Sequence, residues 1–165
     1  MALAVTHVIL TIVVLDLFRH YVFGKKKFPR YWLVIGGIAG LLPDIDLPLQ
    51  WLVNLFTPEH LTLHGVFTHS IFYVILILIV GIYFHAEKNH KWAGIMYVIA
   101  FGWFFHLLLD FLYCNSYAYF WPLVFKFNWC PELLNFSHYK TGIDALILVA
   151  WLVHEEVHKM IKDYI

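Results

Sequence analysis

Eleven histidines and eleven acidic residues share this chain, and several of both fall inside apolar runs. Imidazole with carboxylate is a ligand set for zinc, manganese or iron, and a neutral imidazole tolerates burial that lysine does not. The side chains whose spacing suits such chemistry are His7, Asp44 with Asp46, His64 with His69, and His106 with Asp110. His106 and Asp110 are four residues apart, which puts both on one helix face. Asp44 and Asp46 lie between Pro43 and Pro48, whose missing backbone donors interrupt a helix. Irregular backbone at membrane depth is tolerated only where it is buried in protein or lines a cavity. His64 and His69 flank a helix start that Thr68 is placed to cap.

Positioning these groups falls to a strongly apolar chain. Of 165 residues, 62% are hydrophobic and 13% charged, against about 25% charged in soluble domains. Apolar runs cover 3–23, 31–56, 66–85, 92–113 and 142–153. They predict an all-α polytopic membrane bundle of five transmembrane segments, the second broken at Pro43 to Pro48. With no repeat or linker, 1–165 reads as a single integral-membrane domain. The first run lacks a basic leader and a small-residue cleavage site, so it reads as part of the mature protein. Eleven Lys and Arg against eleven Asp and Glu leave no basic surplus for phosphate backbones, which excludes a nucleic-acid partner.

Cations set the expected orientation. Lys25, Lys26, Lys27 and Arg30 follow the first segment, Lys88 and Lys91 the third, Lys159 and Lys162 the fifth. The positive-inside rule then places the N-terminus outside and the C-terminus in the cytoplasm of a multi-pass cell-membrane protein. On that topology His7, His69, His106 and Asp110 all lie about 5–10 Å inside the outer ends of their helices. Asp44, Asp46 and His64 reach the same side.

Other motifs compete. His154-Glu155-Glu156-Val157-His158 matches H-E-x-x-H, the zinc-protease pattern, and forms an alternative metal site of His154, Glu155 and His158. Its charged Glu156 and Lys159 and its cytoplasmic position favour a solvated amphipathic tail instead. Thr141 to Asp144 reads as a capping box, with Asp144 as an additional site candidate; His60 and His138 are weaker ones on the same side. Asp16 lies on the opposite face from His7 and pairs more naturally with Arg19 or His20. Cys114 and Cys130 fall in an outer connector where a disulfide is permitted, among Tyr117, Tyr119, Trp121 and other aromatics suited to the headgroup level.

Four pieces carry a family resemblance: Thr6-His7, Leu41-Leu42-Pro43-Asp44-Ile45-Asp46, His64-Gly65-Val66-Phe67-Thr68-His69-Ser70, and His106-Leu107-Leu108-Leu109-Asp110. Over most of the first 115 residues the chain resembles the YdjM-like membrane-bound metal-dependent hydrolases of the inner membrane. The resemblance implies that His7, Asp44, Asp46, His64, His69, His106 and Asp110 form the metal-binding set. Gly65 departs from the family pattern, where many members carry an arginine.

The residues and the resemblance together predict a membrane-embedded metal-dependent hydrolase acting on a lipid substrate in the bilayer. A divalent metal is expected, zinc favoured, as one ion or two because seven candidate donors exceed a four-coordinate zinc. Phosphoester cleavage at the outer leaflet suits that set, with His64 as ligand or as the acid that protonates the leaving group. The alternatives are a zinc lipid amidase or esterase, a metalloprotease built on His154, and a metal-ion carrier or sensor.

Overall fold

In a computed structural model of the chain, residues 4–57, 61–113, 117–123 and 140–157 are described, the last stretch by its backbone and the side chains of 146–151, 153, 154 and 157. Six α-helices and no strand occur among them. They are α1 (Ala4–Phe18), α2 (Tyr31–Ala39), α3 (Asp46–Asn54), α4 (Ile71–Ala86), α5 (His90–Leu112) and α6 (Lys140–Val157). A π-helical turn, Arg19–Phe23, extends α1.

Each boundary has a local cause. The Asn89 side chain accepts from the Trp92 backbone N–H at 3.4 Å and opens α5. Ser70, rather than the expected Thr68, caps α4 by accepting from the Phe72 N–H at 3.2 Å. The third apolar run therefore becomes helical only at Ile71, and residues 61–70 form an irregular turn with His69 at its end. The break in the second run also lies three residues earlier than expected. α2 ends at Ala39, a 3-10 turn covers Leu42–Ile45, and α3 resumes at Asp46. Pro48 lies inside the first turn of α3, where a helix has no intrahelical partner for the missing donor. Thr141 lies within α6, which is already helical at Lys140, not at its cap.

α5 is the central helix, flanked by α4 and α2, with α1 against α2 and α5 and α6 against α1. The small residues of α2 allow a close crossing: a Cβ on Gly102 would stand 2.6 Å from the Gly36 carbonyl oxygen and 2.8 Å from Ala39 Cβ. Glycine is needed where two backbones approach so closely. One apolar cluster joins Leu15, Phe28, Leu33 and Val98; another joins Val74, Ala100 and Leu107.

The distribution of polarity is inverted relative to a soluble domain. Among the largest fully buried side chains are His7, His69 and His106, whereas Phe72, Ile75, Ile79 and Ile82 of α4 are exposed. An apolar exterior around a polar interior is what a bilayer solvent selects. Two helices, Ala4–Phe23 and His90–Leu112, are long and apolar enough to cross a membrane, and the α2–α3 pair, bent by 51°, makes a third when taken as one span. Five such spans are not present among the described residues: α4, with 16 residues, is short, and α6 carries charge within its 18 residues.

Candidate metal centre

The helix break prepares the site. Where α2 ends, its last carbonyls lose their intrahelical partners, and Gly40 O accepts a hydrogen bond from His106 Nδ1 at 2.7 Å. A carbonyl only accepts, so His106 carries its proton on Nδ1 and presents a lone pair at Nε2 when neutral.

His69 is fixed by the same logic. The Thr68 hydroxyl donates its one proton to Asp46 Oδ2 at 2.6 Å and therefore accepts from His69 Nδ1 at 3.1 Å. The Nε2 lone pair of His69 again faces inward. These two inward nitrogens are 3.3 Å apart. Asp110 Oδ2 lies 3.1 Å from His106 Nε2 and 3.5 Å from His69 Nε2, and Asp44 Oδ1 lies 3.6 and 3.5 Å from the same atoms.

These five donor-to-donor distances fit a metal ion. A tetrahedron with bonds of about 2.0–2.1 Å has edges of about 3.3–3.4 Å. The chemistry agrees, because two imidazole lone pairs and two carboxylates packed together repel one another without a cation. His7 completes the wall: its ring stacks on His106 at 3.8 Å, its Nε2 is 3.6 Å from Asp110 Oδ1, and its buried Nδ1 has no hydrogen-bond partner among the described residues. Two triads, His7–His106–Asp110 and Asp44–His64–His69, each bring donor atoms within 4.8 Å of one another, so the set can hold one ion or two.

Asp46 stands behind this ring. Oδ1 accepts from His64 Nδ1 at 2.8 Å, and Oδ2 accepts from the Gly65 N–H at 2.9 Å and from Thr68. Its side chain is fully buried with its acceptor capacity met from within the chain, which places it as the group that orients His64 and His69. With Nδ1 protonated toward Asp46, His64 Nε2 accepts from the Tyr117 hydroxyl at 2.9 Å. Burial first, then the carboxylates of Asp110 and Asp44, push the Tyr117 phenol above its ordinary pKa, so it stays a donor.

Tyr117 is a side chain at this cluster that sequence reasoning missed as a site residue. It is strapped in place because the Ala118 N–H donates to Gly65 O at 3.1 Å and the Ile71 N–H to Tyr119 O at 2.9 Å. Gly65 has φ +76°, and a Cβ there would stand 2.1 Å from Tyr117 Cδ1. Glycine at this position thus makes room for the tyrosine ring, a relationship no local motif signals.

All seven predicted residues converge, from α1, the 3-10 turn, α3, the turn before α4 and α5. The competing groups do not join them. His154 Nε2 bonds the Tyr21 hydroxyl at 2.9 Å, about 20 Å along α1 from His7. Asp16 is at that other end too: its Oδ1 lies 3.3 Å from His20 Nδ1 and 3.6 Å from Arg19, and its Oδ2 accepts from Trp151 Nε1 at 3.4 Å. The side chains of Glu155, Asp144 and Thr141, and all of His60, Cys114, Cys130, His138 and His158, lie outside the described residues.

The family model described as YdjM inner membrane protein matches residues 1–161. Neither a curated protein nor a solved structure matches the chain.

Proposed function

The chain belongs to the YdjM inner membrane protein family, and from that membership and the site geometry we propose that it is a membrane-embedded, metal-dependent hydrolase of a lipid-borne phosphoester. The observation that carries the reading is the facing of His69 and His106 through Nε2 atoms at 3.3 Å, with Asp44 and Asp110 beside them.

His69, His106, Asp44 and Asp110 would hold the ion, with His7 as a further donor beside His106 and Asp110. When bound, a divalent cation, zinc favoured, supplies Lewis acidity and water activation. The remaining residues orient and move protons. Asp46 keeps the proton of His64 on Nδ1 and the Tyr117 hydroxyl holds the ring in place, so that Nε2 takes a proton from the attacking water and returns it to the departing oxygen. The side chains of His64 and Asp44 are 14% and 18% exposed, against 0–4% for Asp46, His69, His106, Asp110 and His7, so substrate reaches the centre from their side.

An apolar groove of about 280 Å³ beside α5, lined by Leu107, Phe111 and Tyr119, suits the chain of a lipid substrate. The proposed topology keeps five crossings, with α4 spanning by local thinning of the bilayer. The N-terminus and the metal centre are outside and the C-terminus is cytoplasmic. No nucleic acid is a partner.

The test is headgroup release from labelled lipid phosphoesters by zinc- or manganese-loaded protein in nanodiscs. Metal-dependent release that Asp44→Ala lacks and His154→Ala keeps supports the proposal. Turnover of a lipid amide or ester instead would replace the phosphoester, and metal retention without any turnover would favour a carrier.

A further inference from the structure

A second concavity lies at the opposite end of the bundle. Leu15, Phe18, Phe28, Val98 and Phe101 wall a cavity of about 340 Å³ between α1, α2 and α5. Leu15 and Phe18 are eight and eleven residues beyond His7, hence about 12–16 Å along α1 from the metal centre.

Apolar surface facing lipid is unremarkable in a membrane protein, but the charge beside it distinguishes this cavity. Lys27 lines it, within a connector, residues 24–30, that holds Lys25, Lys26, Lys27 and Arg30 and no carboxylate. An occupant that meets this charge carries a negative group at one end and an apolar chain at the other.

We propose that this cavity binds an anionic phospholipid, its acyl chain between α1, α2 and α5 and its headgroup at Lys27. Charge complementarity selects the lipid: one cation near an anionic headgroup contributes about 1 kcal/mol, or about fivefold in affinity. The site is independent of the metal centre and of the reaction proposed there.

Native mass spectrometry of the full chain in non-ionic detergent, titrated with phosphatidylglycerol or phosphatidylcholine of the same acyl chains, tests it. The expected result is one phosphatidylglycerol bound more tightly than phosphatidylcholine, a preference that Lys27→Gln reduces about fivefold. Lys88→Gln, in the turn between α4 and α5, leaves it unchanged, and Val22→Trp, which fills the cavity, displaces both lipids. Equal binding of the two lipids, or a preference that Lys27→Gln does not alter, would overturn the proposal. Displacement of phosphatidylglycerol by inorganic phosphate would do so too, since it would mark a simple anion site.

Discussion

His69 and His106 face each other through Nε2 atoms 3.3 Å apart, and each has its Nδ1 proton engaged on its far side, by Thr68 and by the Gly40 carbonyl. Neither neutral ring has a proton left to share across that gap. Two fully buried imidazoles with adjacent carboxylates therefore make a set of donors that suits a cation.

Removing the cation should loosen the helices that meet there. α1, α4 and α5 contribute or adjoin donors that repel one another once the ion is gone. A chelator is expected to lower the thermal midpoint of the detergent-solubilised protein, and re-addition of zinc to restore it. An unchanged midpoint in protein whose metal has been removed would count against the structural part of the account.

Asp46→Asn separates an orienting role from a ligand role. The amide keeps the size of the carboxylate but presents a donor to groups that already donate, from Gly65, Thr68 and His64. Metal affinity should fall by about 10- to 100-fold without vanishing, as for loss of a group behind the ligands. Asp44→Ala, by contrast, removes a donor from the inner ring, so a competition assay with a metal-chelating dye should rank its defect above that of Asp46→Asn.

Tyr117→Phe deletes only the hydroxyl that donates to His64. The ring still fills the space over Gly65, so metal content and thermal midpoint are expected to stay within error. Turnover should drop by about 10- to 100-fold because His64 loses the hydroxyl that holds its ring in place. Wild-type turnover in Tyr117→Phe would remove tyrosine from the chemistry.

Gly65→Ala attacks the same contact from the backbone side. At φ +76° an alanine costs about 1–2 kcal/mol, and its Cβ would overlap the tyrosine ring. The variant should be less stable than wild type by denaturant or thermal unfolding and should also lose turnover, because Tyr117 is pushed away from His64.

Much of this cluster was legible in the sequence because its side chains announce themselves by type. An aspartate between prolines in an apolar run, or His106 and Asp110 one turn apart, has few other uses in a membrane chain. What stayed hidden depends on tertiary closure. Asp46 resembles Asp44 in the sequence, and only the three donors arriving from 64–68 reveal that it faces away from the inner ring. Thr68 read as a helix cap because a hydroxyl before an apolar run usually is one; here Asp46 claims its proton and Ser70 takes the cap. Tyr117 lay among aromatics suited to a membrane interface, and nothing near it in the chain points to Gly65. The five predicted crossings rested on apolar length alone, whereas α4 starts five residues later than its apolar run because the turn carrying His64 and His69 occupies that stretch.

The central claim is that the ring of His69, His106, Asp44 and Asp110 holds a metal ion. Elemental analysis of the purified wild type beside Asp44→Ala and His154→Ala tests it most directly. The account predicts stoichiometric metal in the wild type and in His154→Ala, and little or none in Asp44→Ala. Metal that persists in Asp44→Ala and disappears in His154→Ala would contradict it, and would move the centre to the far end of the bundle.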